Sequence, residues 1–253
     1  MKKYNTALVT GGCQRIGLSI VKYLASKGLN IVVQYNKSSK EIRKIERIIK
    51  EYNVKFHSFK FDFENLENLE ESYKKIIKKI GKIDILINNA SAFDYDSLDT
   101  SDFILFDRHI NVNLKAPFFL SKYFKKNLGS KSGLIINLLD QRVNNITPYF
   151  TSYTISKFGL YALTKSLALS ISPNIRVNGI SPGPTLKSKN QSTKQFDEQV
   201  GRTPLKKSVK LSERNNAVGY LVDNSSITGE ILTLDSGQSL GWSNTKSNKF
   251  KND

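Results

Sequence analysis

Three side chains in LLDQRVNNITPYFTSYTISK, residues 138–157, combine into a set that could deliver a proton. Asp140 is an acid, Tyr153 is a phenol thirteen residues on, and Lys157 is an amine four residues further. Hydride reduction of a C=O or C=N bond leaves a heteroatom that needs a proton, and a phenol can supply it. With an ordinary pKa of about 10, the phenol gives that proton up reluctantly at neutral pH. At i+4, Lys157 shares a helix face with Tyr153, where an ammonium is expected to lower the phenol's pKa. The other reading of the pair is a surface tyrosine beside a lysine.

Such a set needs a scaffold. Apolar, β-rich runs occupy residues 4–10, 30–35, 54–61, 82–89, 133–139, 174–180 and 230–235. Between them, residues 11–27, 38–52, 65–80, 101–129 and 151–171 carry apolar side chains at helical spacing, as with Ile42, Ile45, Ile48 and Ile49. Continuous apolar strands alternating with helices predict an α/β fold: a doubly wound, seven-stranded parallel sheet with helices on both faces. No composition break divides the 253 residues, so residues 1–242 read as a single domain and residues 243–253 as a polar, basic tail. Residues 184–210 read as an irregular, mobile excursion of the sort that covers a ligand.

The first strand runs into TGGCQRIG, residues 10–17, and then into a helix. A glycine-rich turn at that junction lets a pyrophosphate approach the backbone at the helix N-terminus; any tight strand-to-helix turn could use the same glycines. Arg15 replaces a glycine common in dinucleotide fingerprints and could reach phosphates or a polar, electron-rich substrate. The second strand ends without an acid from Gln34 to Lys40. Asn36, Lys37 and Ser38 suit a 2′-phosphate, which points to NADP(H) rather than NAD, unless they form only a solvated loop and helix cap.

TGGCQRIG, NNAS (88–91) and YTISK (153–157) together resemble the short-chain dehydrogenase/reductase family over residues 4 to about 242. The resemblance implies a Rossmann-type fold, NADPH as cofactor, and a homo-oligomer, tetramer or dimer, built on the helices near 101–129 and 151–171. It implies catalytic roles for Tyr153, Lys157, Asp140 and Asn113, with Lys157 also holding the nicotinamide ribose. It places Gly11, Arg15, Ile16, Gly17, Asn36, Lys37, Ser38, Asp62, Asn89, Ala90, Pro182, Gly183 and Thr185 on the cofactor. Most members have serine where this chain has Asp140. Arg15, Asp140 and Phe93 in NNASAF resemble instead the pteridine and dihydromonapterin reductase branch. There the pterin stacks on the aromatic, so Arg15, Ser91, Phe93, Asp140 and Tyr153 become the expected substrate contacts. Asp140 has another reading as a structural partner of Arg142, and Trp242 as either a pocket wall or a subunit contact.

Composition narrows the alternatives. The chain carries a formal charge of +17. Its lysines are spread over most predicted helices rather than gathered with aromatics, so a basic surface is favoured over a nucleic-acid site. One cysteine, Cys13, excludes an intrachain disulfide, and two histidines leave too few ligands for a structural zinc site. With no long apolar run and no leader-like N-terminus, the expectation is a cytoplasmic protein acting on a small, pterin-like molecule. The alternatives are a carbonyl or 3-oxoacyl-thioester reductase and, in another class, a non-catalytic nucleotide- or RNA-binding protein.

Overall fold

A computed structural model describes residues 4–37, 39–188 and 191–240. Ser38, Trp242 and the tail at 243–253 lie outside the described residues. The chain runs β1 (Thr6–Thr10), α1 (Arg15–Ser26), β2 (Asn30–Tyr35), α2 (Ser39–Lys50), β3 (Phe56–Lys60), α3 (Leu69–Ile80) and β4 (Ile85–Asn88). It continues through α4 (Phe103–Ile110), α5 (Ala116–Leu128), β5 (Gly133–Leu138), α6 (Thr151–Ser170), β6 (Ile175–Pro182), α7 (Thr193–Gly201), α8 (Leu211–Asp223) and β7 (Ile231–Leu234). The seven strands form one sheet in the order β3-β2-β1-β4-β5-β6-β7, every pair parallel. Strand order reverses between β1 and β4, so their C-terminal ends open a crevice suited to a ligand.

Successive strand residues serve opposite faces. Ala7, Val9, Ile31, Val33, Ile85 and Ile87 join α1, α2 and α8 in one core. Leu8, Val32, Leu86 and Ile135 join α3 and α5 in the other. Burial on both sides explains why these strands read as unbroken apolar runs.

Two expectations are corrected. Residues 101–129 are not one α-helix: a π-turn over Asn111–Lys115 separates α4 from α5. Residues 184–210 are not wholly irregular, because α7 forms there. Ser192 Oγ accepts from Gln195 N–H and Gln195 Oε1 accepts from Ser192 N–H, a reciprocal cap. The polar sequence TKQFDEQVG hides this helix, since it buries no residue. No helix among the described residues is long and apolar enough to cross a membrane.

Candidate active site

The glycine turn is built to approach a ligand closely. Thr10 Oγ1 accepts from the Asn89 and Ala90 amides at 2.9 and 3.0 Å, tying the turn to the chain after β4. Asn89 Nδ2 donates to Thr10 O at 2.9 Å. Gly11 has φ of +61°, and a Cβ on Gly17 would overlap the Gly11 carbonyl oxygen. Gln14, the cap residue of α1, makes no side-chain cap, and the first turn of α1 holds no acid. Close glycines beneath an uncapped helix N-terminus fit a dinucleotide pyrophosphate. At the end of β2, Asn36 is partly exposed and Lys37 exposed. Asp62 is exposed and accepts from Glu64 N–H at 3.0 Å, forming a turn. Arg15 is exposed, and its Nη2 donates to the Leu186 and Lys187 carbonyls at 3.3 and 2.6 Å.

On the other side of the crevice, the Tyr153 hydroxyl donates to Asp140 Oδ2 at 3.0 Å. Asp140 Oδ1 accepts from the backbone N–H of Arg142 at 3.0 Å and from its Nη1 at 3.2 Å. Pairing with Arg142 and contact with Tyr153 therefore occur together. Lys157 is buried, and its Nζ donates to Leu138 O at 2.8 Å, lying 5.6 Å from the Tyr153 ring centre. The expected lowering of the phenol pKa does not arise in this arrangement. Burial and then the Asp140 carboxylate hold Tyr153 well above the usual tyrosine range, with Arg142 and Ser91 pulling against them. Burial brings Lys157 down to about 8.

Asn113, fully buried on the π-turn, pairs with Ala92 like a strand: Oδ1 accepts from its N–H at 2.8 Å and Nδ2 donates to its C=O at 3.0 Å. Nδ2 also reaches Ser156 Oγ at 2.9 Å, joining the 89–93 segment to α6. Phe93 stacks on Phe150 with ring centres 4.8 Å apart and planes 5° from parallel, and meets Tyr153 edge-on at 4.7 Å. The Arg142 guanidinium lies 4.7 Å from the Phe150 ring centre. Ile16 and Ala90 flank the turn and pack on the two cores. Pro182 ends β6, Gly183 N–H donates to Leu234 O at 2.8 Å, and Thr185 Oγ1 donates to Gly183 O at 3.1 Å.

A family model described as "Enoyl-(Acyl carrier protein) reductase" matches residues 12–239. The chain belongs to the short-chain dehydrogenase/reductase family. It is 40% identical to the FolM alternative dihydrofolate reductase 1 of Brucella suis, crystallised with NADP, with a TM-score of 0.91 over 96% of this chain and 98% of that one. It is 30% identical to the 2-dehydro-3-deoxy-D-gluconate 5-dehydrogenase of Formosa agariphila, covering 93% and 92% of the two chains. It is 28% identical to the 3-oxoacyl-[acyl-carrier-protein] reductase FabG of Buchnera aphidicola, covering 91% and 96%.

The short-chain dehydrogenase/reductase sequence patterns point to Tyr153, Lys157 and Asn113 but not to what holds them. His109 Nε2 accepts from Asp94 N–H at 3.1 Å, which puts the imidazole proton on Nδ1. Nδ1 meets Ser152 Oγ at 2.7 Å, and Ser152 donates to Asp96 Oδ2. Asp96 also accepts from Ser152 N–H at 3.0 Å, so this buried chain clamps the start of α6 beside Tyr153. Phe150, at a backbone φ of +61°, is likewise unmarked in the sequence. So is Arg214, whose burial only tertiary packing decides.

Proposed function

We propose that this chain is an NADPH-dependent reductase of a dihydropterin such as dihydromonapterin or dihydrobiopterin, with dihydrofolate as a further candidate. The observation that carries this reading is Asp140 on the Tyr153 hydroxyl at 3.0 Å, with Phe93 edge-on to the same phenol. An acid where a carbonyl reductase would use a hydroxyl donor suits a ring bearing N–H groups. A neighbouring aromatic suits a flat bicycle. The Brucella suis protein named a dihydrofolate reductase supports the same class.

Bound NADPH would supply the hydride to a ring carbon. Tyr153 donates its proton to the adjacent ring nitrogen, so C=N becomes CH–NH. Asp140 orients the phenol through the hydrogen bond it accepts. Lys157, brought down to about 8, holds a proton it can release close to neutral pH to restore the tyrosine. Gly11, Gly17 and the α1 N-terminus would take the pyrophosphate and Asn36 and Lys37 the 2′-phosphate, with Thr185 beside the cofactor's phosphates or its nicotinamide amide.

The second reading is a 3-oxoacyl-thioester or other carbonyl reductase, favoured by the Buchnera relative's name. Loss of NADPH absorbance with dihydromonapterin, dihydrobiopterin, dihydrofolate and an acetoacetyl thioester separates the two. Asp140→Ser is expected to lower pterin turnover by about 10²-fold, as for a proton donor that has lost the group orienting it. Turnover of the thioester alone, kept or improved in that variant, sinks the pterin reading.

We also propose a homo-oligomer. Phe103 and Ile104 on α4 are 90% and 81% exposed, and Ile155 and Leu169 on α6 are exposed too. Such a patch suits an intersubunit face. Light scattering of a Phe103→Glu, Ile104→Glu double variant is expected to report a smaller assembly than the wild type; identical masses reject this face.

A further inference from the structure

Arg214 lies on α8, behind the end of β6, and is 2% exposed. Its Nη2 donates to Thr185 Oγ1 at 2.6 Å, and its Nε has no partner. Among the described residues that hydroxyl is its sole side-chain hydrogen bond, and no carboxylate pairs with it. The other buried guanidinium, Arg176, differs: its Nη atoms donate to the carbonyls of Asn224, Ile227 and Leu221 at 3.0, 2.9 and 2.8 Å around the end of α8. Arg176 Nε is likewise without a partner, but both Nη groups of Arg176 are held by carbonyls, whereas among the described residues only Nη2 of Arg214 has a partner. A buried cation without an anion is unfavourable, and burial draws Arg214 down to about 10. The fold tolerates a side chain that a neutral one of like size would stabilise.

The position of Arg214 says what it lacks. Its partner Thr185 immediately precedes Leu186 and Lys187, whose carbonyls Arg15 grips from the glycine turn. Two guanidinium groups therefore enter the 185–187 segment from opposite ends. The Asp140 carboxylate, on the catalytic side, is the charge whose field reaches Arg214, without pairing with it. A dinucleotide that starts at the glycine turn and ends beside Tyr153 must pass this segment. The anion it carries there is the pyrophosphate, since the 2′-phosphate lies at the end of β2.

We propose that Arg214, presented with the Thr185 hydroxyl, is a cofactor-binding residue that takes an oxygen of the dinucleotide pyrophosphate from the side opposite the α1 N-terminus. The proposal rests on the dinucleotide reading of the site. It assigns to one charged hydrogen bond a share of affinity of about tenfold to a hundredfold.

The test is fluorescence titration of wild type, Arg214→Met, Arg214→Lys and Thr185→Val with three ligands. NADPH and 2′-phospho-ADP-ribose both contain the pyrophosphate, and the second lacks the nicotinamide. 2′,5′-ADP lacks the bridging pyrophosphate. Arg214→Met is expected to weaken the first two by at least about tenfold and to leave 2′,5′-ADP within about twofold. Arg214→Lys should recover part of the loss, because it restores charge without the fork. Thermal melting of Arg214→Met should match or exceed wild type, which separates lost binding from lost fold. If Arg214→Met folds poorly, Thr185→Val carries the same comparison with Arg214 in place. Unchanged NADPH affinity overturns the proposal. So does weakening confined to NADPH, which would put the contact on the nicotinamide, or confined to the pterin KM, which would put it on the substrate. Wild-type protein that binds none of the three defeats the dinucleotide reading itself.

Discussion

Tyr153→Phe is expected to lower pterin turnover by about 10²–10⁴-fold, the range spanned by positioned proton donors, while NADPH affinity stays within a few-fold. The substitution removes only the hydroxyl. The ring keeps its edge contacts with Phe93 at 4.7 Å and His109 at 5.9 Å. Asp140 keeps Arg142 as a partner at 3.2 Å, so no buried carboxylate is left bare. One neutral hydrogen bond contributes about 1 kcal/mol to binding, too little to mimic the expected loss. Steady-state rates with dihydromonapterin, beside NADPH titration, check it. A variant that retains a tenth or more of wild-type turnover would remove Tyr153 as the proton donor.

Lys157→Met is expected to move activity and stability in opposite directions. Turnover should fall by a similar factor, because the buried ammonium proposed to reprotonate the phenol is gone. Stability at pH 7 should rise. The folded pKa of Lys157 is about 8 against an ordinary lysine value of 10.5, and burial is the cause. The folded state thus holds the proton less tightly than the unfolded chain. The penalty on the fold is complete below pH 8, shrinks as pH rises between the two values, and vanishes above 10.5. A difference of this size corresponds to at most about 3 kcal/mol, less about 1 kcal/mol for the lost bond to Leu138 O. For a chain of this length that is a gain of roughly 2–8 °C in Tm. The gain should narrow as pH is raised from 7 to 10, and melting curves of both proteins at several pH values measure it. A gain that is constant with pH would show that the ammonium is not held in a desolvated site. In the wild type, kcat/KM should decline as pH passes about 8.

The parts of this molecule that were legible in its sequence are those fixed by local periodicity. The seven apolar runs announced the strands because burial on both faces leaves no alternation to confuse with a helix. Tyr153 and Lys157 were legible because a four-residue offset fixes a shared helical face. Electrostatics at the same residues were not legible. The spacing suggests an ammonium beside the phenol, yet Lys157 Nζ turns to the Leu138 carbonyl and Asp140 takes the hydroxyl. That choice depends on where β5 ends relative to α6, which no spacing within one helix encodes. Arg214 sits in ERNN on α8 and looks like any solvated charge until tertiary packing buries it against Thr185. Phe150 reaches Phe93 only because its own backbone turns left-handed, an exception for a bulky residue.

The π-turn at Asn111–Lys115 sets the phase of everything after it. One extra residue in a helical turn advances the following helix by about 100°. Residues upstream of the turn, such as His109, face α6, while Leu120, Phe124 and Leu128 downstream face the sheet core. Both facings depend on that added residue. The segment therefore tolerates substitution far better than a change in length: a one-residue deletion would force a choice between the Asn113–Ala92 pairing and the Phe124 core contact, because a regular helix has no phase that satisfies both.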